Sequence, residues 1–205
     1  MNAAMDTPEQ IATLRIELAG SDPVIWREVE VPTAMTLGDL HQVVQAAMGW
    51  DDAHLWDFSL GKQRFSQPFP DDGWGGGPRT IDVDRVRIRD LLKPRKTHLK
   101  YTYDLGDCWE HELTFTRTRS GEPGVAYPRY IGGERAAPPE DCGGIWGFDE
   151  ALEALADPEH PDHEATAEWW GDFDPEALDH DQCRTRLSGM ASRRARKRPG
   201  VKRPS

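Results

Sequence analysis

Between residues 98 and 117 the chain alternates large apolar groups with polar ones on both sides of a short acidic turn, and one strand pairing keeps that alternation in step. With the turn centred on Leu105-Gly106, Tyr103 faces Trp109, Tyr101 faces His111 and Leu99 faces Leu113, so the large groups share one face. The other face then pairs Lys100 with Glu112 and Thr102 with Glu110, one opposite-charge pair and one neutral pair. A slip of one residue would turn every aromatic side chain to the wrong side. The stretch therefore demands an antiparallel hairpin with one face against a core.

The rest of the chain supplies partners for that hairpin. Residues 13–18 alternate, with Leu14, Ile16 and Leu18 on one face, and residues 24–31 follow a Gly20-Ser21-Asp22-Pro23 turn signal, which gives a second antiparallel pair. Thr36 three residues before Asp39 is the pattern of a capping box, and Leu37, Leu40, Val44 and Ala47 continue at helical spacing toward a stop near Gly49. Residues 54–60 alternate again, placing His54, Trp56, Phe58 and Leu60 on one face of a third strand. Residues 67–78, with three consecutive glycines, read as a long loop with Trp74 packed back on the body; no Lys-Ser/Thr follows to make a phosphate cradle. Beyond a short extended piece at 127–132 the chain turns helical: Phe148, Leu152 and Leu155 mark one helix, residues 162–170 a second ending at Gly171, and residues 176–190 a third, weaker one. The expected fold is α+β: a mainly antiparallel sheet built from hairpins, one helix from the N-terminal half packed on it, and a helical C-terminal segment.

Charge divides the chain. The net charge is −11, yet residues 191–205 carry seven basic residues and no acid, which leaves 18 basic against 36 acidic residues in the remainder. An acidic body repels phosphate backbones, so nucleic-acid affinity would have to come from Arg193, Arg194, Arg196, Lys197 and Arg198, with Lys202 and Arg203 beyond them. The expected organisation is a flexible N-terminus over 1–12, one domain over 13–190 and a disordered basic tail over 191–205. Three cysteines without a C-x-x-C pair suggest neither a disulfide framework nor a zinc ribbon and fit the reducing cytoplasm. No signal-peptide pattern opens the sequence and no apolar run is long enough to span a bilayer, so no membrane partner is expected.

Several ordered motifs resemble one family, the plasmid pRiA4b ORF-3-like proteins of plasmids, insertion sequences and prokaryotic chromosomes. They are Val24-Ile25-Trp26-Arg27, Met48-Gly49-Trp50 with His54-Leu55, Tyr101-Thr102-Tyr103-Asp104-Leu105-Gly106-Asp107 with Trp109-Glu110-His111, Gly132-Gly133-Glu134-Arg135, and the stretch from Pro138-Pro139-Glu140-Asp141-Cys142 to Gly143-Gly144. The resemblance implies a mobile-element association and no established activity. Members often carry cysteines where this chain has Tyr130 and Ala137, so a thiolate cluster built on Cys142 would lack its ligands here. Leu105 replaces an aromatic residue in the acidic turn.

Two readings of the acidic stretch follow. As a binding module for a protein or peptide partner, the chain would present Tyr101, Tyr103, Trp109, Glu110 and Cys142 at the hairpin end and the adjacent loop; no cofactor is expected and no residue is assigned as a metal ligand. As a metal-assisted hydrolase it would use Asp104, Asp107, His111, Glu140 and Asp141, with His41 and His54 nearby, since carboxylates and an imidazole hold a divalent cation or supply an acid and a base. Alternation sets Glu110 and Glu112 on the face opposite His111. The tryptophans are expected mostly in the core, where a groove lined by several would suit a peptide or a base.

Overall fold

The computed structural model describes residues 8–68, 80–93 and 96–197; most of the glycine loop, with Trp74, and Arg198, Lys202 and Arg203 lie outside them. Eight strands form one sheet: β1 (Gln10–Leu18), β2 (Trp26–Pro32), β3 (Trp56–Leu60), β4 (Gln63–Ser66), β5 (Ile81–Asp82), β6 (Thr97–Tyr103), β7 (Trp109–Ser120) and β8 (Arg129–Glu134). Their order is β5-β4-β3-β6-β7-β1-β2-β8, and every neighbouring pair is antiparallel except β4 with β5. Among the described residues five α-helices and one 3-10 turn (Val83–Arg85) accompany the sheet: α1 (Leu37–Met48), α2 (Ile88–Leu91), α3 (Gly144–Ala156), α4 (His163–Trp170) and α5 (His180–Lys197). The class is α+β.

The central hairpin has the register that parity demands, pairing Tyr103 with Trp109, Tyr101 with His111, Leu99 with Leu113 and Lys100 with Glu112. Its apolar face is fully buried, whereas on the other face Lys100 and Glu112 lie 3.5 Å apart in solvent. An antiparallel sheet can be covered on one side and wet on the other, and this one is. Leu14, Ile16 and Leu18 of β1 extend the buried face, and Leu37, Leu40, Val44 and Ala47 of α1 join the same core.

Helix α1 begins and ends as its residues dictate. The Thr36 hydroxyl accepts from the Asp39 N–H, and the Asp39 carboxylate accepts from the Thr36 N–H, both at 3.1 Å. At the other end Gly49, with φ of 92°, takes the left-handed conformation that closes the last turn. Between Leu60 and Thr97 periodicity marks no element, because β4, β5 and α2 are only four, two and four residues long. Strand β1 starts at Gln10, three residues before the alternation becomes visible, and β3 starts at Trp56, which leaves His54 outside the strand.

Helix α5 continues through Lys197, so the first seven residues of the expected basic tail are helical and not disordered. Packing explains the extension: Ala191 is buried, α5 lies against α1 and β8, and both terminal nitrogens of Arg194 bond the Glu9 carboxylate. Among the described residues no helix is long and apolar enough to cross a membrane. Most tryptophans are buried or half-buried as expected, but Trp146 and Trp169 are 79% and 61% exposed.

Candidate functional site

The β6–β7 turn is shaped by its own acids. Asp104 has φ of 53°, and its Oδ1 accepts from the N–H groups of Gly106 at 2.9 Å and Asp107 at 3.3 Å, the self-bonding a short acid makes in a tight turn. Asp107 turns outward, and its Oδ2 accepts from the Gly143 N–H at 3.0 Å. That bond ties the hairpin turn to the loop before α3. The approach is close enough that a Cβ on Gly144, which has φ of 70°, would run into the Asp107 carbonyl. The two acidic motifs, about 35 residues apart in sequence, are therefore one surface.

His54 fills the angle between them. Its Nδ1 lies 3.5 Å from Asp104 Oδ2, and its Nε2 lies 3.1 Å from Asp141 Oδ1 and 3.7 Å from Glu140 Oε2. Glu140 is held by its other oxygen: Oε1 accepts from the Asp51 N–H at 3.0 Å and from the Tyr103 hydroxyl at 3.1 Å. The same hydroxyl accepts from the Ala53 N–H, which fixes the segment carrying His54. Burial, then the neighbouring Glu140, holds the Tyr103 phenol well above its ordinary range, so it stays a donor. Two atoms in this group, His54 Nε2 and Glu140 Oε2, are shielded from solvent with no hydrogen-bond partner among the described residues.

One ligand atom each from His54, Asp104 and Asp141 lies within 4.8 Å of the others. Ligands around a tetrahedral zinc with arms of ~2.0–2.1 Å stand roughly 3.3 Å apart; Asp104 faces Nδ1 and Asp141 faces Nε2, so closing the group on a cation at one ring nitrogen needs one aspartate to turn toward it. The donor set is one imidazole and two carboxylates, with Glu140 adjacent, which suits a borderline or hard divalent ion. Asp141 is 70% exposed and leaves one side of the group open.

The structure thus brings Asp104, Glu140 and Asp141 together and separates two other candidates from them. His111 lies in the core at 1% exposure, edge-on to Trp50, its Nδ1 facing the Trp109 carbonyl at 3.0 Å. Burial pulls its pKa down to about 4, so it is a neutral packing residue. Asp107 serves the backbone of the loop. His41 is likewise interior, stacked on Trp56 and bonded to Asp52 and the Tyr101 hydroxyl, and burial lowers its pKa despite the aspartate.

Of the residues expected to bind a partner, only Tyr103 reaches the group. Tyr101 and Trp109 are buried, and Glu110 points to the opposite, solvated face. The Cys142 thiol is pushed up to about 12 by burial and then by Asp107, which leaves it neutral and inert. The imidazole of the site is His54, which alternation assigns to a strand face. The signal for it is its place beside Asp51 and Asp52 after Gly49, where a chain leaving a helix cap has not yet entered the sheet.

The sequence model of the family described as plasmid pRiA4b ORF-3-like protein matches residues 10–182. The chain belongs to that family. It is 38% identical over 190 residues to the uncharacterized protein y4hQ of Sinorhizobium fredii, which covers 91% of this chain and 95% of that one. It also resembles the crystal structure of MM3350, a protein of unknown function from Methanosarcina mazei Go1, with a TM-score of 0.77 and 35% identity over 85% of this chain and 98% of that one. Neither name states an activity. The stretch matched to the plasmid pRiA4b ORF-3-like family contains β1–β8, α1 and every member of the His54 group, and it ends before Arg193, Arg194 and Arg196.

Proposed function

We propose that this chain is a cytoplasmic binding module whose recognition surface is the β6–β7 turn together with the Glu140 to Gly144 loop, organised by a divalent cation held by His54, Asp104 and Asp141. The observation that carries the reading is the convergence of these groups from three separate segments, with His54 Nε2 and Glu140 Oε2 shielded from water and without a hydrogen-bond partner among the described residues. Buried polar atoms are ordinarily satisfied, and a cation would satisfy both. The exposed Asp141 side leaves a coordination position to which a protein or peptide partner would donate an oxygen. Leu105, 45% exposed at the hairpin tip, gives that partner an apolar contact.

Titration calorimetry and elemental analysis of the full chain with Zn2+ and Mn2+ test this. Asp104→Asn keeps the turn bond and the left-handed backbone that asparagine tolerates while removing the charge, and His54→Gln removes the imidazole. Stoichiometric binding weakened at least ten-fold by both changes supports the reading; unchanged affinity rejects it. The enzymatic alternative has one observation in its favour, the open side of the same group, where a metal-bound water would sit. Metal-dependent cleavage of bis(p-nitrophenyl) phosphate, lost in Asp104→Asn, would select it over the binding module.

A further inference from the structure

Arg27, on β2, is 1% exposed, and its electrostatic situation differs from that of the other arginines packed on this fold. Arg119 and Arg129 share Glu30, Arg194 pairs with Glu9, and Arg135 pairs with Glu176. Arg27 has no carboxylate partner among the described residues. Its Nε donates to the Ala47 carbonyl at 3.0 Å, and Nη1 donates to the carbonyls of Trp26 at 2.8 Å and Glu134 at 2.9 Å, all neutral acceptors. Ala47 belongs to the last turn of α1, whose partial negative charge offsets only a fraction of a full cation. Buried charges are normally paired.

Beside this guanidinium is a cavity of about 280 Å³ with largely apolar walls, among them Met48, Trp50, Pro138, Phe173 and Leu178. Two acids also border it, and each is engaged elsewhere. Glu140 is held by Asp51 and Tyr103 and turned toward His54, and Asp179 is 2.8 Å from the Gln182 N–H at the start of α5. Nη2 of Arg27 is the one guanidinium nitrogen without a carbonyl acceptor among the described residues, and the side chain that meets the guanidinium here is the Cys183 thiol, which burial keeps neutral.

We propose that this cavity is a binding site for a small organic carboxylate, its acid group on Arg27 and its apolar body against Trp50 and Phe173. With the Glu140 and Asp179 carboxylates engaged elsewhere, a cation met only by neutral groups beside largely apolar walls selects for an anion with a hydrophobic remainder, because its charge is matched and the rest of the ligand leaves water. The volume lies just under the range of drug-sized pockets, ~300–1,000 Å³, and fits an aliphatic or arylacetic monocarboxylate. The carboxylate site does not depend on the cation reading, although Glu140 borders both places.

The test is calorimetry on the full chain in a chelating buffer, which keeps the cation group empty, with phenylacetate, phenylacetamide and inorganic phosphate as probes. Phenylacetate should bind at least ten-fold more tightly than either of the others. Ala177→Trp, an exposed position bordering the cavity, should obstruct it and weaken phenylacetate at least ten-fold without disturbing the core. Arg27→Gln should erase the preference for acid over amide; should that variant not fold, the acid-to-amide ratio and Ala177→Trp decide. Equal binding of acid and amide, binding as tight for phosphate, indifference to Ala177→Trp, or no binding of phenylacetate each overturns the proposal, and none of them touches the cation reading.

Discussion

His111 should impose a proton-linked penalty on stability that a single substitution removes. Its imidazole is 1% exposed among Trp50, Tyr101 and Trp109, its Nε2 has no hydrogen-bond partner among the described residues, and its pKa is lowered from 6.5 to about 4. Desolvation is the main cause, opposed by the Trp109 and Tyr101 backbone. Above pH 6.5 the ring is neutral in both folded and unfolded chains and stability owes nothing to its titration. As pH falls through 6.5 the unfolded chain takes up a proton that the folded chain refuses, and stability drops until the folded ring titrates near pH 4. At ~1.36 kcal/mol per unit the full loss is about 3 kcal/mol, of which about 2 kcal/mol is reached at pH 5.

Urea unfolding of the wild type and His111→Phe at pH 7.5, 6.0 and 5.0 measures it. Phenylalanine keeps the edge contact with Trp50 but adds bulk, an overpacking cost of ~1–3 kcal/mol that is the same at every pH. His41 and the carboxylates titrate in both proteins and cancel in the difference. The gap between wild type and variant should therefore move by about 2 kcal/mol in favour of the variant between pH 7.5 and 5.0. A gap constant to within ~0.5 kcal/mol would refute the claim that a buried neutral imidazole sits at this position.

Two further outcomes follow from the same geometry. Gly144→Ala places a Cβ against the Asp107 carbonyl at a left-handed position, so it should cost about 2 kcal/mol or more in urea unfolding and also weaken cation binding, because the turn carrying Asp104 must shift; a loss under ~0.5 kcal/mol would mean the two loops are not locked together. Nucleic-acid affinity, measured by filter binding of duplex DNA across a salt series, should depend on the basic end of the chain: removing residues 198–205 together with Arg193→Ala and Arg196→Ala should abolish the salt-sensitive component. Truncating at Ala191 would mislead, since it removes the buried Ala191 and the Arg194–Glu9 pair.

What could be read from the residues was whatever repeats with a period. The β6–β7 register and α1 with both its caps follow from alternation, from Thr36 and Asp39, and from Gly49, because local rules act there without help from distant partners. β4 and β5 are too short to show a period, and the end of α5 depends on Glu9, almost the whole chain away. Alternation misplaces His54 for a related reason: the pattern of Trp56, Phe58 and Leu60 extends back through it, yet the strand pairing stops at Trp56 opposite Tyr103.

The acidic turn shows why density of charge is a poor guide to a site. Of its two aspartates, Asp104 divides its oxygens, one closing the turn and one facing His54, while Asp107 is spent on Gly143. The latter bond is what makes a site feasible at all. It brings Glu140 and Asp141 from a separate loop to the imidazole, and it does so only because Gly144 lacks a side chain. Asp104 and Asp141 both sit at positive φ, a conformation that costs a non-glycine residue of order 1 kcal/mol or more. Turn chemistry accounts for Asp104. Asp141 also sits in a turn, but its carboxylate accepts no backbone bond within the described residues and is aimed at His54. That carboxylate stands 3.1 Å from His54 Nε2 and is 70% exposed, so it can turn onto a cation beside the imidazole, which calorimetry with Asp104→Asn and His54→Gln is designed to find.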